Sequence, residues 1–272
     1  MGPIPAAFYE PDGESFASTP LTRGPWDPGL QHAGPPAALL ARAIEGASAI
    51  EAGHTVRLSY DILRPIPITP LRIETRVLRP GRRVEQLEAT LTLAHAGSDA
   101  AALMRATAWR MRTEKVPLPP GSVAGEPPAT GPDDGRPGDF SFWTDEVAYH
   151  RALDWRFVAG VFDRPGPAHA WTRLNAQLVA GEPPTPLERL LVMADAASGV
   201  SAALDWSGHT FVNVDLGIHL LRPPEGEWMS MDAVTRLSSS GTGLCTSVLG
   251  DARGQVGVST QSLLVAERPG AG

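Results

Sequence analysis

Two ten-residue segments of this chain are near copies of each other. Val56 to Pro65 reads VRLSYDILRP, and Val214 to Pro223 reads VDLGIHLLRP. The same order of segments surrounds each copy. In the first half a helix candidate, Pro35 to Glu45, precedes a strand block from His54 to Arg112. In the second half a helix candidate from Pro186 to about Leu204 precedes a strand block from His209 to Glu267. Each copy leads through a short proline-containing turn into an alternating strand, Leu71 to Leu78 and Glu227 to Leu237. RATAWRM, Arg105 to Met111, then stands where VSTQSLL, Val258 to Leu264, stands in the second half. Pro35 and Pro36 suit a first helical turn, where the missing N–H costs nothing, and Gly46 suits a helix end. An internal repeat of this kind constrains the fold before anything else does. Long alternating strands with one helix per half predict an α+β chain of two tandem units. In each, a curved antiparallel sheet wraps around a central helix.

The two halves are separated by Thr113 to Asp139, TEKVPLPPGSVAGEPPATGPDDGRPGD. This stretch is rich in proline and glycine and lacks apolar periodicity, so it reads as a linker with no helix or strand of its own. The expected organisation is therefore residues 1–112, a linker 113–139, and residues 140–272. At 272 residues and 42% hydrophobic, the chain can bury a substantial core. Its formal net charge of −7 argues against a nucleic-acid partner, which needs a basic surface. No stretch reaches the length of a membrane span. Met1 to Glu14 has neither the basic nor the apolar region of a signal peptide, which makes the cytoplasm the default location. Cys245, the single cysteine, reads as a small core residue rather than a nucleophile.

GPWDPGLQHAGPPAALLARAIE, Gly24 to Glu45, resembles the N-terminal repeat of the TesB-type acyl-CoA thioesterase-like family. MADAASG, VNVDLGIHLLRPP and STQSLLVAER resemble its C-terminal repeat. The resemblance covers most of the chain outside the linker. It implies a double hotdog fold, a thioesterase of the double hotdog superfamily, and a homodimer. It also implies a catalytic trio in the second half. Matched by local sequence, its members are Asp195 on the helix, Asn213 on the following strand and Gln261 on the last strand. The well-studied members carry threonine where this chain has Asn213. In the first half Ala108 stands where Gln261 stands in the second.

The implied chemistry is attack of water on the thioester carbonyl of an acyl-CoA. Asp195 would take the proton, and Asn213 and Gln261 would fix the water. Backbone N–H groups of His32, Ala33 and Gly34, just before a helix N-terminus, would hold substrate by stabilising the oxyanion. CoA enters as part of the substrate, and neither a separate cofactor nor a metal is implied.

Read from pattern alone, the same residues leave alternatives open. Asp195 lies at the edge of an apolar helical stripe formed by Leu187, Leu191, Ala194, Ser198 and Ser201. Partial burial there would raise its basicity, but a surface aspartate or an arginine partner fits equally. Alternation places Asn213 on one sheet face with Phe211 and Asp215. Asn213 and Gln261 also fit outward polar positions on half-buried strands. Asp27 and His32 are spaced D-x4-H, as in hotdog enoyl-CoA hydratases, which gives a second enzyme reading. A non-catalytic acyl-CoA binding protein is the third. Arginines 57, 64, 72, 76, 79, 82 and 83 could hold the CoA phosphates or form a solvated face. The sequence has no G-x-S-x-G elbow, Walker A loop, G-x-G-x-x-G or His/Cys cluster with metal-ligand spacing. Acyl chain length is not encoded in any of these patterns.

Overall fold

A computed structural model describes residues 4–97, 101–119, 121–122 and 127–268. Residues 120 and 123–126 of the expected linker therefore lie outside the described residues. In the first half, β1 (Ala7–Asp12) and β2 (Ser15–Ser18) precede the helix α1 (Gly34–Ala47). Strands β3 (Gly53–Ile62), β4 (Leu71–Arg79), β5 (Val84–Leu93) and β6 (Met104–Arg112) follow it. Next come β7 (Arg136–Pro137), β8 (Leu153–Ala159), β9 (Ala168–Leu174) and β10 (Gln177–Val179). The second half continues with α2 (Pro186–Ala194), α3 (Ala197–Val200), β11 (His209–Asn213) and β12 (Asp215–Leu220). It ends with β13 (Trp228–Leu237), β14 (Thr242–Asp251) and β15 (Gly254–Glu267).

All the strands belong to one sheet, in the order β10-β1-β2-β4-β5-β6-β3-β12-β15-β14-β13-β9-β8-β7, with β11 also on β15. The two repeated segments meet at its centre, where β3 and β12 pair antiparallel. Leu58 opposes Ile218, Ser59 opposes Gly217 and Tyr60 opposes Leu216. The sequence match aligns Leu58 with Leu216 and Tyr60 with Ile218, so this register exchanges the two copies about the Ser59–Gly217 pair. The seam carries the repeat's symmetry residue by residue. The register also fixes the other equivalences. Ser59 opposes Thr107 and Gly217 opposes Thr260. One residue further on, Ala108 and Gln261 occupy matching positions.

Strand alternation creates the core. Leu87, Ala89 and Leu91 of β5, with Met104, Ala106 and Ala108 of β6, point inward against Ala37, Ala38, Leu40 and Ala41 of α1. Alanines on the helix let the sheet approach closely. The two helices also touch directly. A Cβ built on Gly34 would lie 2.3 Å from the carbonyl oxygen of Val192, so only glycine allows α1 to start there.

Four expectations change. The helix α1 runs through Gly46 to Ala47 and ends at Ser48. Glycine there costs helix stability but is tolerated inside the helix. The second helix does not run on to Leu204; it breaks at Asp195. It starts on a capping box, with the Thr185 hydroxyl accepting from the Glu188 N–H at 3.2 Å and Glu188 accepting from the Thr185 N–H at 2.7 Å. Within the expected linker, Pro132–Asp134 forms a 3-10 turn and Arg136–Pro137 pairs with β8. Finally, β1, β2 and β8–β10 occupy stretches that the sequence left unassigned. The pairing of β10 with β1 crosses between the halves, in parallel.

Candidate active site

The break after α2 is where the site is made. The side chain of Gln261, fully buried on β15, enters the helix at this point. Its Oε1 accepts from the Ser198 N–H at 3.0 Å, and its Nε2 donates to the Asp195 carbonyl at 3.0 Å. Both backbone groups lose their ordinary helical partners, and a side chain inserted into the ladder ends the straight helix. The inward face of β15, shared by Ser259, Gln261 and Leu263, dictates this placement. Gln261 is therefore an inward residue, and its outward reading is corrected.

Asp195 caps the interrupted helix and is 5% exposed. The surface-aspartate reading is corrected as well, and among the described residues no arginine pairs with it. Its Oδ1 accepts from Asn213 Nδ2 at 2.8 Å and from Gln261 Nε2 at 3.3 Å. Asn213 arrives through a register shift. It opposes Leu263 on β15, whereas Gly217 opposes Thr260, so one residue is bulged out at the junction of β11 and β12. The bulge reverses the facing of everything after it. Asn213 stays on the inward side with Phe211, while Asp215 turns outward to accept from the Ser262 N–H at 2.6 Å. The shared face expected for Asn213 and Asp215 is thus broken.

The other carboxylate oxygen faces the first half. His32 Nδ1 lies 3.1 Å from Asp195 Oδ2 and 3.1 Å from the Gly34 N–H. One nitrogen carries either a proton or a lone pair, so it serves one of these partners. The Gly34 N–H donates to this nitrogen, so Nδ1 is the ring's acceptor and the carboxylate oxygen lies beside it. Burial holds the His32 pKa below its ordinary value against the opposing pull of Asp195. The ring is stacked at 3.7 Å on Tyr149, whose hydroxyl donates to the Val192 carbonyl at 2.7 Å. Of the loop's N–H groups, that of His32 donates to Thr22 at 2.7 Å. The Gly34 N–H is taken by His32 Nδ1, which among the described residues leaves the Ala33 N–H near the start of α1.

Asp27 does not join His32. It is exposed, and its Oδ1 accepts from the Gly29 N–H at 2.7 Å within its own turn. Asp195 takes the place on His32 that a hydratase dyad would give to Asp27.

The carboxylate opens onto a cavity of about 320 Å³ whose wall is mostly aromatic and aliphatic. Residues 24–33 and 62–66 of the first half and residues 140–162 and 195–214 of the second line it. Sequence reasoning missed Trp143, Tyr149 and His150 on this wall. Their signal is the aromatic cluster in FSFWTDEVAYH, Phe140 to His150, which falls just after the expected linker. Among the arginines, Arg76 pairs with Glu88, Arg83 pairs with Glu114, and Arg79 donates to the Val84 carbonyl. Arg64 lies at the cavity itself. Cys245 is buried beside Ser201 and opposite Gln261 on the neighbouring strand, as a core residue.

The sequence matches the acyl-CoA thioesterase N-terminal domain over residues 22–111 and the C-terminal domain over residues 125–265. No curated protein matches it. Among solved structures it resembles a candidate thioesterase II from Thermobifida fusca YX at 23% identity and TM-score 0.73, covering 98% of this chain and 99% of that one. It resembles a hot dog fold protein of unknown function from Alicyclobacillus acidocaldarius at 16% identity and TM-score 0.69, with 96% and 95% covered. It also resembles acyl-CoA thioesterase II TesB2 from Mycobacterium marinum at 15% identity and TM-score 0.63, with 95% of each chain covered. These likenesses carry the fold, and the two domain matches carry the family. With both halves matched, the chain belongs to the acyl-CoA thioesterase family and is a thioester hydrolase.

Proposed function

We propose that the chain, built as two tandem hotdog units, hydrolyses an acyl-CoA to the free acid and CoA with water activated by Asp195. The carrying observation is a buried carboxylate held by two amide donors, flanked by His32 and opening onto an apolar cavity. Asn213 and Gln261 serve the carboxylate directly. Their amide N–H groups donate to Asp195, so they aim the base. The Gln261 carbonyl is occupied by Ser198. Asn213 Oδ1 is the amide oxygen left to accept from the attacking water. His32, 3.1 Å from the second carboxylate oxygen, brings the first half against the base.

In the chemical step, water attacks the thioester carbonyl and passes its proton to Asp195. The oxyanion forms near the start of α1, where the Ala33 N–H group and the helix dipole favour negative charge. Collapse of the tetrahedral intermediate expels the CoA thiolate, which takes the proton. Arg64, on the cavity wall, would meet the phosphates of CoA. The test is release of free CoA from a panel of acyl-CoAs. Asp195→Ala should lower kcat by about a hundredfold or more, the range for losing a general base. Unchanged turnover in a folded variant would remove Asp195 from the mechanism.

A further inference from the structure

The wall of the cavity carries polar atoms that no group among the described residues satisfies. His150 is 3% exposed, and neither of its ring nitrogens has a hydrogen-bond partner. The indole N–H groups of Trp143 and Trp155 are buried and unpartnered as well. All three side chains line the cavity that holds Asp195. They form one cluster: the rings of Trp143 and His150 are 4.2 Å apart, and Phe140 packs 5.2 Å from His150 and 5.6 Å from Trp155. The cluster sits behind Tyr149, with the Trp143 ring 6.4 Å and the Trp155 ring 6.5 Å from that phenol. Tyr149 in turn stacks on His32. Aromatic contacts thus lead from the reacting end of the cavity to the unsatisfied donors.

Leaving buried polar groups unpaired is costly. A plain alkyl chain in this cavity would seal the cost in. The chemistry of the cluster specifies what would relieve it. Burial pushes the His150 pKa down to about 4, so near neutral pH the ring is uncharged. A neutral imidazole offers one donor and one acceptor, while the indoles offer donors only. A hydroxyl both accepts and donates, so one hydroxyl can take an indole proton and give its own to His150. A carboxylate or ketone can only accept and would leave the imidazole lone pair bare.

We infer that the Trp143–His150–Trp155 cluster is a subsite for a hydroxyl group on the acyl chain, making hydroxyacyl thioesters the preferred substrate class. The inference rests on the thioesterase reading for the word substrate; the recognition itself can be measured without turnover. The probes are non-hydrolysable thioether analogues of hexanoyl-CoA, 6-hydroxyhexanoyl-CoA and hexanedioyl-CoA, with four- and eight-carbon homologues of each. Binding is followed by quenching of tryptophan fluorescence. At the best-fitting length the hydroxylated analogue should bind about tenfold more tightly than the plain one, and the carboxylated analogue should gain nothing. His150→Phe keeps the ring packing and should erase the preference, and Trp143→Phe should weaken it. Equal affinity of plain and hydroxylated analogues at every length overturns the subsite. So does tighter binding of the carboxylated analogue, or a preference that survives both substitutions. Hydrolysis of the matching thioesters is scored separately. A hydroxyl preference in binding with no turnover of any thioester would sink the thioesterase reading and leave the subsite standing. Turnover with no preference would do the reverse.

Discussion

Both halves place a carboxylate near the C-terminal part of their helix and a polar side chain one residue before the copied segment, yet the two arrangements differ in kind. In the first half, Glu45 of α1 accepts from Thr55 at 3.2 Å and from Arg110 at 2.5 Å. Thr55 stands one residue before Val56, as Asn213 stands one residue before Val214. Arg110 is 6% exposed and also faces Glu85, which is buried. In the second half the carboxylate is Asp195, and its donors are two amides, with the His32 imidazole beside it. An arginine partner cancels the charge and removes the base from use. Amides aim the carboxylate while leaving its negative charge available. One framework thus carries an inert ion pair in one copy and a candidate base in the other.

The largest effect should come from breaking the inert side. Arg110→Ala leaves Glu45 and Glu85 without their cation and should cost about 3–5 kcal/mol of stability. Urea unfolding measures this, and kcat of the folded fraction should hardly move. A large loss of kcat at unchanged stability would mean that the first-half network is part of the chemistry. The reactive side should respond the other way. Asp195→Asn keeps the shape, so kcat should fall about a hundredfold or more while the unfolding midpoint stays close to that of the wild type. A next, smaller effect concerns the contact between the halves. Gly34→Ala forces a methyl group against the Val192 carbonyl and should cost about 1–3 kcal/mol. Because Gly34 adjoins His32, kcat should drop as well. Full activity with normal stability would show that the helices can separate there at no cost.

The smallest effect is in pH. Burial lowers the pKa of both His32 and His150, the latter to about 4. The unfolded chain takes up these protons near the ordinary value of 6.5 and the fold resists them, so the unfolded state binds more protons in between. Stability is then fully present above about 6.5 and is lost progressively as pH falls toward 4. His150→Phe should flatten part of that loss in thermal unfolding scans taken across this window. An unchanged pH dependence would mean that His150 accepts its proton in the fold without cost.

Much of the fold was legible because its signals are local. Alternation in β5, β6 and β15 and the copied strand segments depend on neighbouring residues alone. The strands β8 to β10 escaped because they are short and follow a proline-rich stretch that masks any period. In the site, Asp195, Asn213 and Gln261 were reachable through family resemblance, while periodicity left each of them with an ordinary alternative. Alternation places Asn213 with Phe211 correctly but fails for Asp215, because a bulge is set by pairing with β15, which a single strand does not reveal. Tyr149 and His150 were not reached at all, since an aromatic cluster in a loop has no address until the chain folds over it.

By itself the sequence determined the repeat, the two helix-and-strand halves, and the asymmetry of Ala108 against Gln261. It could do so because residue order and spacing determine which face each side chain takes along its own element. Only the tertiary structure decided that β3 and β12 join the halves in register and that Gln261 interrupts the second helix. It also decided that His32 of one half meets Asp195 of the other, and that His150 closes the cavity behind them. Those contacts join residues far apart in the chain, and their energies come from burial and hydrogen bonding that exist only once both halves have packed together.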